Sequence, residues 1–82
     1  MSYNIMGIVI ENRDSNAPDI QEILTKFGCI INLRIGYHEK IKDACLNEGL
    51  VILELSDDKL EIEKLQKELK TIKGIRTQTI TL

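Results

Sequence analysis

The sequence predicts an α+β domain in which a four-stranded antiparallel sheet carries two helices on one face. Three observations predict it. Asn4 to Glu11 and Gly49 to Leu55 are near-continuous apolar runs rich in β-branched residues, each is followed by a stretch with helical apolar spacing, and the 82 residues have room for only one small domain. By surface scaling, a chain of 9.4 kDa buries about 63% of the surface that it exposes unfolded. Single domains are marginal at that fraction, and association is a common remedy.

Asn4 to Glu11 (NIMGIVIE) is too short for a stable helix and stops at the polar cluster NRDSN, so it reads as a buried central strand. Ile20, Ile23, Leu24 and Phe27 then recur at i, i+3, i+4 and i+7, which predicts a first helix. Ser15 or Asn16 would cap it, Pro18 would lie in its first turn, and Gly28 would follow its end. Cys29 to Tyr37 alternates, with Cys29, Ile31, Leu33, Ile35 and Tyr37 on one face and Ile30, Asn32, Arg34 and Gly36 on the other. This pattern predicts a half-buried strand with Tyr37 toward the core and Arg34 toward the open face.

Residues 38 to 48 (HEKIKDACLNE) are polar, mixed in charge and too long for a tight turn, and they read as a loop. Gly49 to Leu55 (GLVILEL) is the second central strand. A second helix follows, with Ser56 as N-cap, Asp57 and Asp58 in the first turn, a Leu55–Leu60 staple and a core stripe of Ile62, Leu65, Leu69 and Ile72. Gly74 would end it as the C′ residue, and Ile75 to Leu82 reads as an edge strand.

The order is strand, helix, strand, strand, helix, strand, the ferredoxin-like βαββαβ pattern with sheet order 4-1-3-2, spanning residues 1–82 as a two-layer sandwich. Its inner strands are the first and third, where the two most apolar runs fall. Both runs carry apolar residues on both faces, yet the helices cover only one. A homo-oligomer, foremost a dimer, would bury the remainder.

Eleven basic residues stand against 13 acidic ones, for a formal net charge of -2, so no general field attracts nucleic acid and no direct nucleic-acid partner is expected. The Lys residues of the second helix alternate with Glu61, Glu63 and Glu68. No stretch reaches the ~20 apolar residues of a membrane span, and the N-terminus has neither the basic start nor the cleavage site of a signal peptide. Cys29 and Cys45 are too few for a disulfide framework, which points to a reduced, cytoplasmic setting.

The chain offers no catalytic constellation and is not expected to be an enzyme. Cys45 and His38 could be nominated as nucleophile and base, but no pattern supplies an oxyanion hole. The central strands carry none of the aromatic residues on which an RNA-recognition domain stacks bases. His38 and Cys45 do suit zinc, nickel or copper chemically, and a second chain would have to complete the coordination.

GIVIENRDS, QEILTKFG, GCIINLRIGYHE, CLNEG and KGIRTQTITL together resemble the iron-only hydrogenase system regulators, over essentially the whole chain. That family is similar to ACT domains and to the C-terminal sensor domain of the nickel-responsive repressor. The resemblance implies an ACT-like, non-catalytic regulatory domain that binds a ligand, linked to hydrogenase maturation or expression. It implies two candidate sites. ACT-type domains use the loop after the first strand for effector contact, which here is Glu11, Asn12 and Arg13, with Arg34 added from the second strand. The repressor-like alternative is a divalent transition metal at His38 and Cys45, although the chain has no second His. The remaining alternative is a protein–protein interaction module that takes no ligand.

Overall fold

A computed structural model describes residues 2–37, 40–41, 44–45 and 48–82, with the backbone alone for Asp14, Tyr37, Lys40, Ile41, Ala44 and Cys45. The elements are β1 (Asn4–Glu11), α1 (Arg13–Lys26), a 3-10 turn (Gly28–Ile30), β2 (Ile31–Tyr37), β3 (Lys40–Ile41), β4 (Ala44–Cys45), β5 (Glu48–Leu55), α2 (Lys59–Lys70) and β6 (Ile75–Thr81). The main sheet is antiparallel in the order β2-β5-β1-β6, with the two apolar runs as its inner strands. This is the ferredoxin-like α+β fold.

Alternation along the inner strands decides the two faces. Met6, Ile8 and Ile10 of β1 and Val51, Leu53 and Leu55 of β5 are buried beneath the helices. Ile20, Leu24 and Phe27 from α1 and Ile62, Leu65 and Leu69 from α2 meet them in one core, and Ile23 and Ile72 pack at its margin. Asn4 is the buried polar residue of this layer. Its amide donates to Asp57 Oδ1 at 3.4 Å and its Oδ1 accepts from Thr81 Oγ1 at 3.0 Å, so its polar atoms have partners.

On the other face, Leu33, Ile35, Leu50 and Ile80 remain 36–52% exposed, beside partly exposed Ile5, Val9 and Ile52. The register sets them in rows, Leu33–Glu54–Ile5–Ile80 and Ile35–Ile52–Gly7–Gln78, with no helix above.

The structure departs from the sequence pattern at several places. Helix α1 begins at Arg13, ahead of Ser15 and Asn16, and its N-cap is Asn12 in the left-handed conformation (φ 51°, ψ 53°). Pro18 consequently lies inside the helix. Asn16 serves the junction differently: its Nδ2 donates to Glu11 O at 2.7 Å and Lys73 O at 3.0 Å, tying the entry of α1 to the turn after α2.

Cys29 is exposed in the 3-10 turn and lies outside the strand. Strand β2 is an edge strand, and its pairing with β5 slips between Ile31 and Leu33: Ile31 opposes Leu55, and Leu33 opposes the next residue, Glu54. Asn32 is the extra residue of a bulge. Its amide donates to Glu54 Oε2 at 2.9 Å and its Oδ1 accepts from Ser56 Oγ at 3.2 Å. Beyond the bulge the faces exchange. Leu33 and Ile35 point to the open side, and Arg34 lies on the helix side, the reverse of the simple alternation; the side chain of Tyr37 lies outside the described residues.

Where a loop was expected, β3 and β4 pair as a short ladder, Lys40 with Cys45 and Ile41 with Ala44. The N-cap of α2 is Asp58, whose carboxylate accepts from Glu61 N at 3.2 Å, because Ser56 is engaged by Asn32 and through its N–H by Ile30 O at 2.8 Å. Leu60 is 63% exposed and forms no staple. Thr71 caps the end of α2, and Gly74 instead makes the turn into β6 with φ +87°.

Candidate functional site

The ends of β1 and β2 and the start of β5 meet at one edge of the sheet, under the first half of α1. A cleft of ≈ 300 Å³ opens there, with Ile10, Ile20 and Val51 as its apolar surface and Arg13, Gln21 and Arg34 among its polar lining. Its space comes from two missing side chains. Gly36 opposes Val51 and Gly49 opposes Ile10, both on the helix side of the sheet. A Cβ on Gly36 would meet nothing within 4 Å.

The two guanidinium groups reach the cleft from different elements. Arg13 occupies the first turn of α1, and its Nε is buried without a hydrogen-bond partner among the described residues. Arg34 rises from β2, and its guanidinium donates to Gln21 Oε1 on α1. No carboxylate lines the cleft among the described residues, and neither arginine has an ion-pair partner there. Two fixed positive charges thus face a hollow with an apolar floor.

Of the sequence candidates, the cleft brings together Arg13 and Arg34, which stand on separate elements. Glu11 and Asn12 do not line it. The N–H of Glu11 donates to Gly74 O at 2.8 Å and its carbonyl accepts from the Asn16 amide, while Asn12 sets the helix start. His38 lies outside the described residues, as does the side chain of Cys45, whose backbone is in β4. Among the described residues no three His, Cys, Asp or Glu side chains cluster as a metal site would require. Sequence reasoning missed Gln21 and Gly49. The signal for the hollow was a glycine near each end of the segment joining β2 to β5, both at helix-side positions.

The model of TM1266-like iron-only hydrogenase system regulators matches residues 2–79. The chain belongs to that family. The structure is similar to that of the uncharacterized protein TM1266 from Thermotoga maritima, at 30% identity and a TM-score of 0.83, covering 100% of this chain and 99% of that one. It shares its fold with CPII, a nitrogen regulatory PII-like protein from Thiomonas intermedia K12, at 9% identity and a TM-score of 0.63 over 100% of this chain and 93% of that one. A PII-like signaling protein from Thermus thermophilus also shares it, at 7% identity and a TM-score of 0.66 over 100% and 88%. No curated protein sequence matches the chain. Among the described residues, no helix is long and apolar enough to cross a membrane.

Proposed function

We propose that this regulator-family chain is a non-catalytic, homo-oligomeric domain that binds a small effector in the cleft under α1. The convergence of Arg13 and Arg34 on a hollow that no carboxylate lines among the described residues carries the reading. Concave sites with an apolar floor and a few directed polar groups are where small ligands bind. CPII, which shares the fold, is bound to ADP, AMP and bicarbonate, and ligand control is the role carried over here. The hydrogenase system named by the family is the proposed regulated target. The open face of Leu33, Ile35, Leu50 and Ile80 supports association, because a two-fold contact buries the same apolar patch on both partners.

A thermal-shift panel of amino acids, organic acids, phosphate esters, nucleotides and divalent metals tests the effector reading, since a ligand of the native state raises the Tm by mass action. At least one compound should stabilise the wild type and lose its effect in Arg13→Gln and Arg34→Gln. Silence of the whole panel would instead favour a ligand-free interaction module, the reading that the open apolar face alone would support. Sedimentation should show a dimer or higher oligomer at micromolar concentration that dissociates in a Leu33→Glu, Ile35→Glu double variant. A monomeric wild type would reject the association.

A further inference from the structure

The lining of the cleft restricts what the effector can be. Resting on the reading of this cleft as the effector site, we propose that the ligand is a small oxyanion, a carboxylate or a phosphate ester, joined to a compact apolar group and lacking an ammonium group. The positive side is explicit in the geometry: Arg13 of α1 and Arg34 of β2 line one cavity, and neither has an ion-pair partner among the described residues. Guanidinium also matches carboxylate and phosphate in shape, as a planar fork of donors.

The exclusion of zwitterions rests on what the cleft lacks. An ammonium group needs acceptors, and among the described lining side chains Gln21 Oε1 alone is one, with one of its two lone pairs taken by Arg34. Among the described residues no lining carboxylate is present to compensate a cation, and the two arginines would repel it. Size gives the second limit. At ≈ 300 Å³ the cleft is at the lower end of the range of about 300–1,000 Å³ for ligand pockets, so it suits a metabolite of a few carbons better than a dinucleotide. Ile10, Ile20 and Val51 then receive the apolar group.

A series on one branched skeleton isolates each element of the proposal: 3-methylbutanoate, isobutyl phosphate, valine and 3-methylbutanamide. The full-length protein is titrated with each at millimolar concentration, and its Tm is followed. The carboxylate, the phosphate or both should raise the Tm by on the order of 5 °C, which also shows which oxyanion is preferred, while valine and the amide leave it unchanged. Affinity should fall about 10-fold or more in Arg13→Gln and in Arg34→Gln. Gly36→Leu should abolish the shift with its unliganded Tm at or above that of the wild type, because the new side chain enters open space in a strand.

Equal shifts with valine or the amide that vanish in Gly36→Leu would overturn the ligand class and leave the cleft as the effector site. A carboxylate or phosphate effect that survives Gly36→Leu would move binding elsewhere and overturn the proposal. No shift with any of the four compounds would overturn it as well, and the effector reading would fall with it only if the broader panel were also silent.

Discussion

Replacing Gly74 by alanine should loosen the junction that places Arg13. Gly74 has φ +87°, where a Cβ costs about 1–2 kcal/mol. That Cβ would also lie 3.3 Å from Glu11 Cβ and 3.4 Å from Asn16 Nδ2, adding roughly 0.5–1 kcal/mol of displacement. Alanine restricts the unfolded chain and returns about 0.4–1 kcal/mol, leaving a net loss of about 1.5 kcal/mol. For a domain of this size each kcal/mol lowers the Tm by about 4–8 °C, so thermal unfolding followed by circular dichroism should show a fall of roughly 6–12 °C. Asparagine tolerates positive φ better, and Gly74→Asn should lose less than the alanine variant. In an Asn16→Ala background the cost of Gly74→Ala should shrink, because one of the two crowded neighbours is gone and the residues are coupled. A Gly74→Ala protein within about 2 °C of the wild type, or an asparagine variant less stable than the alanine one, would refute the reasoning.

Leu65 is fully buried between α2 and the sheet, and Leu65→Ala should cost about 3 kcal/mol, a large share of the roughly 4–12 kcal/mol expected for such a chain, so that urea melts shift strongly to lower midpoint. Duplex DNA should show no mobility shift with submicromolar protein at near-physiological salt, since Glu61, Glu63 and Glu68 interleave the lysines of α2, and Lys26 pairs with Glu68 at 2.9 Å and Lys64 with Glu61 at 3.2 Å; a salt-sensitive shift would contradict this.

The architecture was legible wherever the pattern was repeated and local. Asn4–Glu11 and the run ending at Leu55 are inner strands because their apolar residues outnumber what one helix layer can cover, and the stripes of α1 and α2 entered the core as their spacing required. Helix ends were less legible. Ser56 has the chemistry of an N-cap, but Asn32 engages its hydroxyl from twenty-four residues away, and Asp58 caps instead. The site was half legible. Arg13 stood out by its place after the first strand, whereas the partnership with Arg34 depends on a bulge whose fixing contacts, Asn32 to Glu54 and to Ser56, are tertiary and leave no mark in the local sequence. Simple alternation therefore assigned Arg34 to the wrong face.

That same inserted residue sets the phase of everything after it in β2. If Asn32 paired with Glu54 in a regular ladder instead of bulging, Leu33 and Ile35 would rotate beneath α1 and Arg34 and Gly36 would turn outward. The cleft would lose a guanidinium and its hollow in the same step in which the open face lost two of its apolar residues. The proposed effector cleft and the proposed association face thus lie on opposite sides of one short ribbon. Absorbing the bulge into the ladder would reassign both together, while substitutions at the face residues, each confined to one side, are the means by which the two properties can diverge.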